Sequence, residues 1–177
     1  MVFSDERACQ PCLASYDGIE EKYEYFNSIF ELISAAVGVD TVYIDADESV
    51  KFDFLMRDNL GNRLISKSTI FYGNSFISEH SFLFHESIAL DNNIELLWAG
   101  GLRPTEQVEA EDIQYGSGII RQGGEIEDLQ INSKDLTTDR FVYNGETEWA
   151  AVRTKYFMAA LMPSVPSSFA TLSAENI

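Results

Sequence analysis

The sequence predicts an all-β domain, an antiparallel sandwich or barrel. Three observations carry that expectation. Turn signals recur at short, even intervals past residue 40: Asn59-Leu60-Gly61-Asn62, Tyr72-Gly73-Asn74-Ser75, Asp91-Asn92-Asn93, Gly100-Gly101, Gly123-Gly124 and Asn144-Gly145. Residues of this kind supply the backbone conformations that turns demand. Between them lie short runs rich in aromatic and β-branched residues, the composition of strands. Those runs alternate: Val50, Phe52 and Phe54 fall on one face of an extended chain, and Lys51 and Asp53 on the other.

Taken along the chain, Glu20 to Val37 is ambiguous. Phe26, Ile29, Phe30 and Ile33 have helical spacing, but a pair of strands accounts for the segment equally well. At most one or two short helices are expected in the domain. Phe76, His80, Phe82 and Phe84 share a face if their run is extended. Val142-Tyr143-Asn144-Gly145-Glu146-Thr147 reads as a hairpin with a type I′ turn. Ser164 to Ile177, with one proline and four serines, reads as a loop. No internal repeat or low-complexity tract interrupts the pattern.

Composition narrows the function classes. The 177 residues are 45% hydrophobic and 12% aromatic, enough apolar surface to build a core without staples and to exclude intrinsic disorder. Twelve basic residues against 29 acidic ones leave a formal charge of −17. Such a surface repels phosphate backbones and anionic headgroups, so no nucleic-acid partner is expected. The apolar stretches Ile29 to Val39 and Phe157 to Met162 fall short of the roughly 18 residues of a membrane span, and no span is expected in this chain. The first residues lack the basic and apolar regions of a signal peptide.

Candidate chemistry is sparse. Cys9-Gln10-Pro11-Cys12 is a C-x-x-C, but too few residues precede it to form the strand of a redox fold, and as a zinc half-site it lacks a partner pair. His80 and His85 are the only histidines, and their odd separation sets them on opposite faces of one strand, where they cannot share a metal. His80 among phenylalanines reads as a packing residue. An epimerising or mutarotating site would need a histidine and a carboxylate in one pocket, and nothing shows Glu79 or Glu86 converging on His80. Asp45-Ala46-Asp47-Glu48 opens like a calcium loop but places Val50 and Met56 where glycine and the bidentate glutamate belong. The run Glu106, Glu109, Glu111 and Asp112 reads as a solvated loop. There is no G-x-S-x-G, phosphate-binding loop or dinucleotide fingerprint. No catalytic, cofactor-binding or metal site is assigned, and no cofactor is expected.

Four stretches in order carry a resemblance: Lys67-Ser68-Thr69-Ile70-Phe71-Tyr72-Gly73-Asn74-Ser75-Phe76; Leu96-Leu97-Trp98-Ala99-Gly100-Gly101-Leu102-Arg103-Pro104-Thr105-Glu106; Gln122-Gly123-Gly124-Glu125; and Glu148-Trp149 through Lys155-Tyr156-Phe157-Met158-Ala159-Ala160-Leu161-Met162-Pro163. Together they resemble the large periplasmic domain of the bacterial membrane-protein insertase family YidC, over roughly residues 48 to 163. The resemblance implies a β-supersandwich related to the sugar-mutarotase fold, used without sugar chemistry. It implies a place on the periplasmic side of the inner membrane within a multi-pass protein. The partners it implies are the rest of the insertase, the Sec translocon with SecDF, and nascent membrane proteins. On this basis residues 1–46 are a poorly matched N-terminal segment, 47–163 the sandwich, and 164–177 a loop leading to strands that the chain lacks, so a fragment or truncated product is expected. The alternative is a free-standing mutarotase-like or carbohydrate-binding sandwich, motivated by its aromatics, His80 and abundant carboxylates.

Overall fold

A computed structural model describes residues 11–17, 19–20, 22–26, 30–34, 41–85, 94–99, 101–102, 115–130 and 139–174. Their elements are twelve strands: β1 (Cys12–Asp17), β2 (Lys22–Tyr25), β3 (Glu31–Leu32), β4 (Ser49–Arg57), β5 (Arg63–Tyr72), β6 (Ser78–Phe84), β7 (Ile94–Leu97), β8 (Ser117–Gln122), β9 (Glu125–Gln130), β10 (Asp139–Arg153), β11 (Met158–Leu161) and β12 (Ser167–Ala174). The all-β expectation is borne out, and the ladders of β3 to β6 and of β8 to β12 are antiparallel. Of the two alternatives for Glu20 to Val37, strands are what the described residues form. They do not pair with each other: β2 joins β1 and β3 joins β4.

The chain forms two compact units, Leu13–Glu95 and Met1–Cys12 with Leu96–Ile177. In the first, the sheet runs β3-β4-β5-β6, and β1 lies between β2 and β7 in another. The alternation read from Val50 to Phe54 is present, with those three half-buried and Lys51 exposed. It ends at Leu55 and Met56, neighbours on opposite faces that are both buried, so both sides of the sheet are covered there. Met56 lies opposite Ile65, and with Leu13 the two form the core, flanked by Phe26, Phe30, Phe82, Phe84 and Ile94. β6 alternates as expected from Ser78 to Phe84. Phe76 is the exception: it precedes the strand and is fully exposed.

The second unit holds a five-stranded sheet in the order β11-β10-β8-β9, with β12 also on β10. Ile120, Ala170 and Leu172 form its core, with Leu129, Tyr143 and Ala150 packed around them. Gly123 and Gly124 both have positive φ, 58° and 85°, and turn β8 into β9.

Two expectations are corrected here. Asn144-Gly145 is no hairpin turn; it lies inside β10, a continuous strand of 15 residues. Gly145 has φ 134°, and the register against β12 shifts between Asn144 and Thr147. The glycine serves a bulge, which draws on the same backbone freedom as a turn. The amide of Gln122 spans this bulge, donating from Nε2 to the Gly145 carbonyl at 2.9 Å and the Thr147 hydroxyl at 3.2 Å. The segment after Ser164 is not all loop either, because β12 pairs antiparallel with the first half of β10 from Asp139 to Thr147.

Candidate functional site

The described residues that concentrate polar and charged groups on an aromatic surface lie on one face of the β4-β5-β6 ladder. Residues directly opposite in a sheet share a face. Phe54, Lys67 and Phe82 form one such row, and Phe52, Thr69 and His80 the next. The Lys67 ammonium sits 5.9 Å from the Phe54 ring centre and 5.6 Å from that of Phe82, within the range of cation–π attraction to both. Burial pushes the Lys67 pKa below its ordinary 10.5.

His80 is held on both sides. Its Nδ1 lies 3.1 Å from the hydroxyl of Thr69, which is 4% exposed, and its Nε2 lies 2.9 Å from the Ser78 hydroxyl. A neutral imidazole donates from one nitrogen and accepts at the other, and two hydroxyls satisfy both. Burial first, and the Lys67 charge second, hold its pKa below 6.5. The packing role read for His80 fits this geometry. His85 instead meets Ser66, with Nε2 2.8 Å from the hydroxyl. Ser66 and Thr69 are an odd number of residues apart on β5, so the two histidines work on opposite faces. Glu79 accepts a 2.7 Å hydrogen bond from the Tyr72 hydroxyl and, next to His80 in a strand, faces away from it. Glu86 lies outside the described residues.

A pH dependence follows. The unfolded chain protonates His80 near pH 6.5 and the folded chain only at lower pH, so below about pH 6.5 the unfolded state binds more protons. Stability is therefore expected to fall as pH drops through that value. The Ser68 hydroxyl and then Lys51 hold the Asp53 carboxyl below 3.8, which adds a second loss as pH falls below that point. Urea midpoints at pH 7.5 and 5.5 check the first effect: the loss at pH 5.5 shrinks in His80→Gln, and an equal loss in that variant assigns it elsewhere.

The other candidates have no partner set that points to chemistry. Asp45 to Glu48 is an exposed turn, closed by a 3.0 Å bond from the Glu48 amide to the Asp45 carbonyl. Among the described residues no three His, Cys, Asp or Glu side chains are grouped to hold a metal. Cys12 is buried and disulfide-bonded. Cys9, the sequence's other cysteine, lies outside the described residues, as do Glu106, Glu109, Glu111 and Asp112. No helix among the described residues is long and apolar enough to cross a membrane.

Among the described residues, the first motif maps onto β5 with the turn after it, the second onto the end of β7 with Trp98, Ala99, Gly101 and Leu102, the third onto the β8–β9 turn, and the fourth onto the second half of β10 with β11. Several of their residues shape the backbone. Trp98 donates from Nε1 to the Gly101 carbonyl at 2.8 Å, closing its own turn. Thr154 and Phe157 bond twice between β10 and β11, amide to carbonyl at 2.8 Å and amide to hydroxyl at 3.3 Å. Sequence reasoning missed the Lys67 row. Its signal, a lysine opposite two phenylalanines, exists only once the strand register is known.

No family model and no solved structure matches the chain. Curated proteins do match, and the seven that do share one name, membrane protein insertase YidC. That of Chlorobaculum tepidum is 29% identical over 166 residues, 90% of this chain and 26% of its own length. That of Chlorobium phaeovibrioides is 32% identical over 60% of this chain and 18% of its own length, and that of Prosthecochloris aestuarii 27% over 81% and 25%. The similarity thus extends beyond residues 48 to 163, where the motifs lie, while the chain spans about a quarter or less of the curated relatives it matches. Over most of its length, the chain is similar to a segment of proteins named membrane protein insertase YidC.

Proposed function

We propose that this chain is a non-catalytic domain of a membrane protein insertase, on the periplasmic side of the inner membrane, where it contacts nascent membrane proteins. The observation that carries this reading is the shared name of seven relatives, together with an order of motifs that runs through the described strands. The polar groups of the Lys67 face support a non-catalytic role, since His80 is occupied by two hydroxyls that hold it in place. The rest of the insertase and the Sec translocon with SecDF are the further partners proposed.

Fractionation of the source cells with an antibody against this segment tests the reading. The antigen is expected to stay with alkali-washed membranes and to run well above 19.9 kDa. A soluble species near 20 kDa overturns it.

A further inference from the structure

Basic side chains are scarce in this protein, twelve against 29 acidic ones, and several of the described ones have a carboxylate beside them. Lys51 pairs with Asp53 at 2.9 Å, Arg57 with Glu31 at 3.8 Å, Arg121 with Glu148 at 2.9 Å and Arg153 with Asp128 at 2.8 Å. Every side chain in these pairs is more than a third exposed, so water already solvates the charge. Lys67 is the reverse case. It is half-buried, and among the described residues no carboxylate lies within ion-pair distance of it.

Strand register accounts for the isolation. From the Met56–Ile65–Phe84 row to the Val50–Phe71–Ser78 row, Lys67 is the one acidic or basic side chain on its face. Asp53 and Glu79 are each one residue away from that face along their strands and project to the other side. His80, in the next row, has both ring nitrogens on hydroxyls and brings no negative charge. What the ammonium does have is the ring of Phe54 on one side and that of Phe82 on the other. Ring faces attract a cation without neutralising it. A partly desolvated ammonium with no counter-ion therefore keeps much of its cost, and a carboxylate brought to it relieves that cost.

We propose that Lys67, set between Phe54 and Phe82, is a binding site for a single carboxylate carried on an uncharged, apolar body. The carboxylate takes the ammonium in a charge-assisted hydrogen bond, and the body lies on the flanking rings. Phe54 and Phe82 are half-buried like Lys67, so each keeps part of its ring for such a contact. The formal charge of −17 repels ligands with several negative charges and leaves those with one the least disfavoured. A free organic acid and the terminal carboxylate of a peptide share this chemistry. The proposal does not rest on the insertase reading.

The test uses the purified 177-residue chain and para-fluorophenylacetate, followed by fluorine NMR. Saturable binding is expected. Burial holds the Lys67 pKa below 10.5 in the free chain, and carbon NMR at its Cε is expected to show that pKa rising when the probe is bound. The amide, para-fluorophenylacetamide, keeps the ring and loses the charge. It is expected to bind about tenfold more weakly, the weight of a lost charge-assisted hydrogen bond. Lys67→Met keeps an apolar stem between the rings and is expected to lose the same factor without a lower melting temperature. If that variant melts early, the comparison of acid with amide on the native chain still decides. No saturable binding, equal binding of acid and amide, or full binding by a folded Lys67→Met overturns the proposal. So does a Lys67 pKa above 10.5 in the free chain, which means that the chain or a second copy already supplies the carboxylate. Acetyl-alanyl-phenylalanine with a free carboxylate, competed against the probe, separates the sources: tighter binding assigns the site to a peptide terminus, weaker binding to a small acid, and both keep the carboxylate site. A membrane-bound antigen of large size whose purified chain fails to bind the probe would sink this site and leave the insertase reading standing.

Discussion

Replacing Ile65 with alanine is expected to cost about 2–5 kcal/mol, the range for deleting a fully enclosed branched side chain. Ile65 is fully buried, lies opposite both Met56 on β4 and Phe84 on β6, and forms the core with Leu13 and Met56. Those contacts tie three strands of one sheet to β1, so the cavity has walls from several elements, which limits how far it can collapse. Urea unfolding followed by fluorescence reads the effect as a lowered midpoint. Ile126→Ala, at a largely exposed position, is the control and is expected to stay within about 0.5 kcal/mol. Equal losses in the two variants would mean that the core is not where these contacts place it.

The second large effect is expected at Gly73. A β-carbon there would lie 1.9 Å from the Asp45 carbonyl oxygen and 2.7 Å from its carbon. Both are main-chain atoms, so a rotamer change cannot relieve the clash. The Gly73 amide also bonds to the Glu48 carbonyl at 3.0 Å, which holds the two segments together. Gly73→Ala must push the Asp45 to Glu48 turn away from the end of β5, at a cost of about 1–3 kcal/mol or more. Gly61→Ala separates crowding from backbone conformation. Gly61 has φ 86° and open space around it, so only the left-handed backbone is penalised, at about 1–2 kcal/mol. If Gly73→Ala is the milder of the two, the close approach at Asp45 is not maintained in solution.

These two sites also show what was legible in the sequence. The strand from Val50 announced itself because its outward residues are charged and its inward ones aromatic. The turn at Gly73 was legible as a turn, but the approach of Asp45, far off in sequence, left no local mark. Asn144-Gly145 was misread because left-handed backbone serves a hairpin and a bulge alike. What decides between them is pairing with β12 and the amide of Gln122, 23 residues away. β12 was read as loop because serine and alanine are weak strand signals. Ala170 and Leu172 are nonetheless buried against Ile120, and only the neighbouring strands make that alternation meaningful. The Lys67 row depended on register in the same way. The family resemblance was the one long-range signal that local reasoning could use, and it reached the architecture without naming a contact.

The bulge in β10 has a consequence for how the chain tolerates lost residues. Tyr143 lies opposite Ala170, and Ala150 opposite Ile120, so both sit on the face that packs the second core. They are seven residues apart, a spacing that an unbroken pleat would send to opposite faces. The irregular stretch between them re-phases the strand, and everything after it keeps step only because of an extra residue. Deleting one residue there would leave a tidier strand and turn Trp149 to Arg153 inside out. Point substitutions along β10 exchange one side chain for another, whereas a single-codon deletion at the bulge exchanges the two surfaces of half a strand.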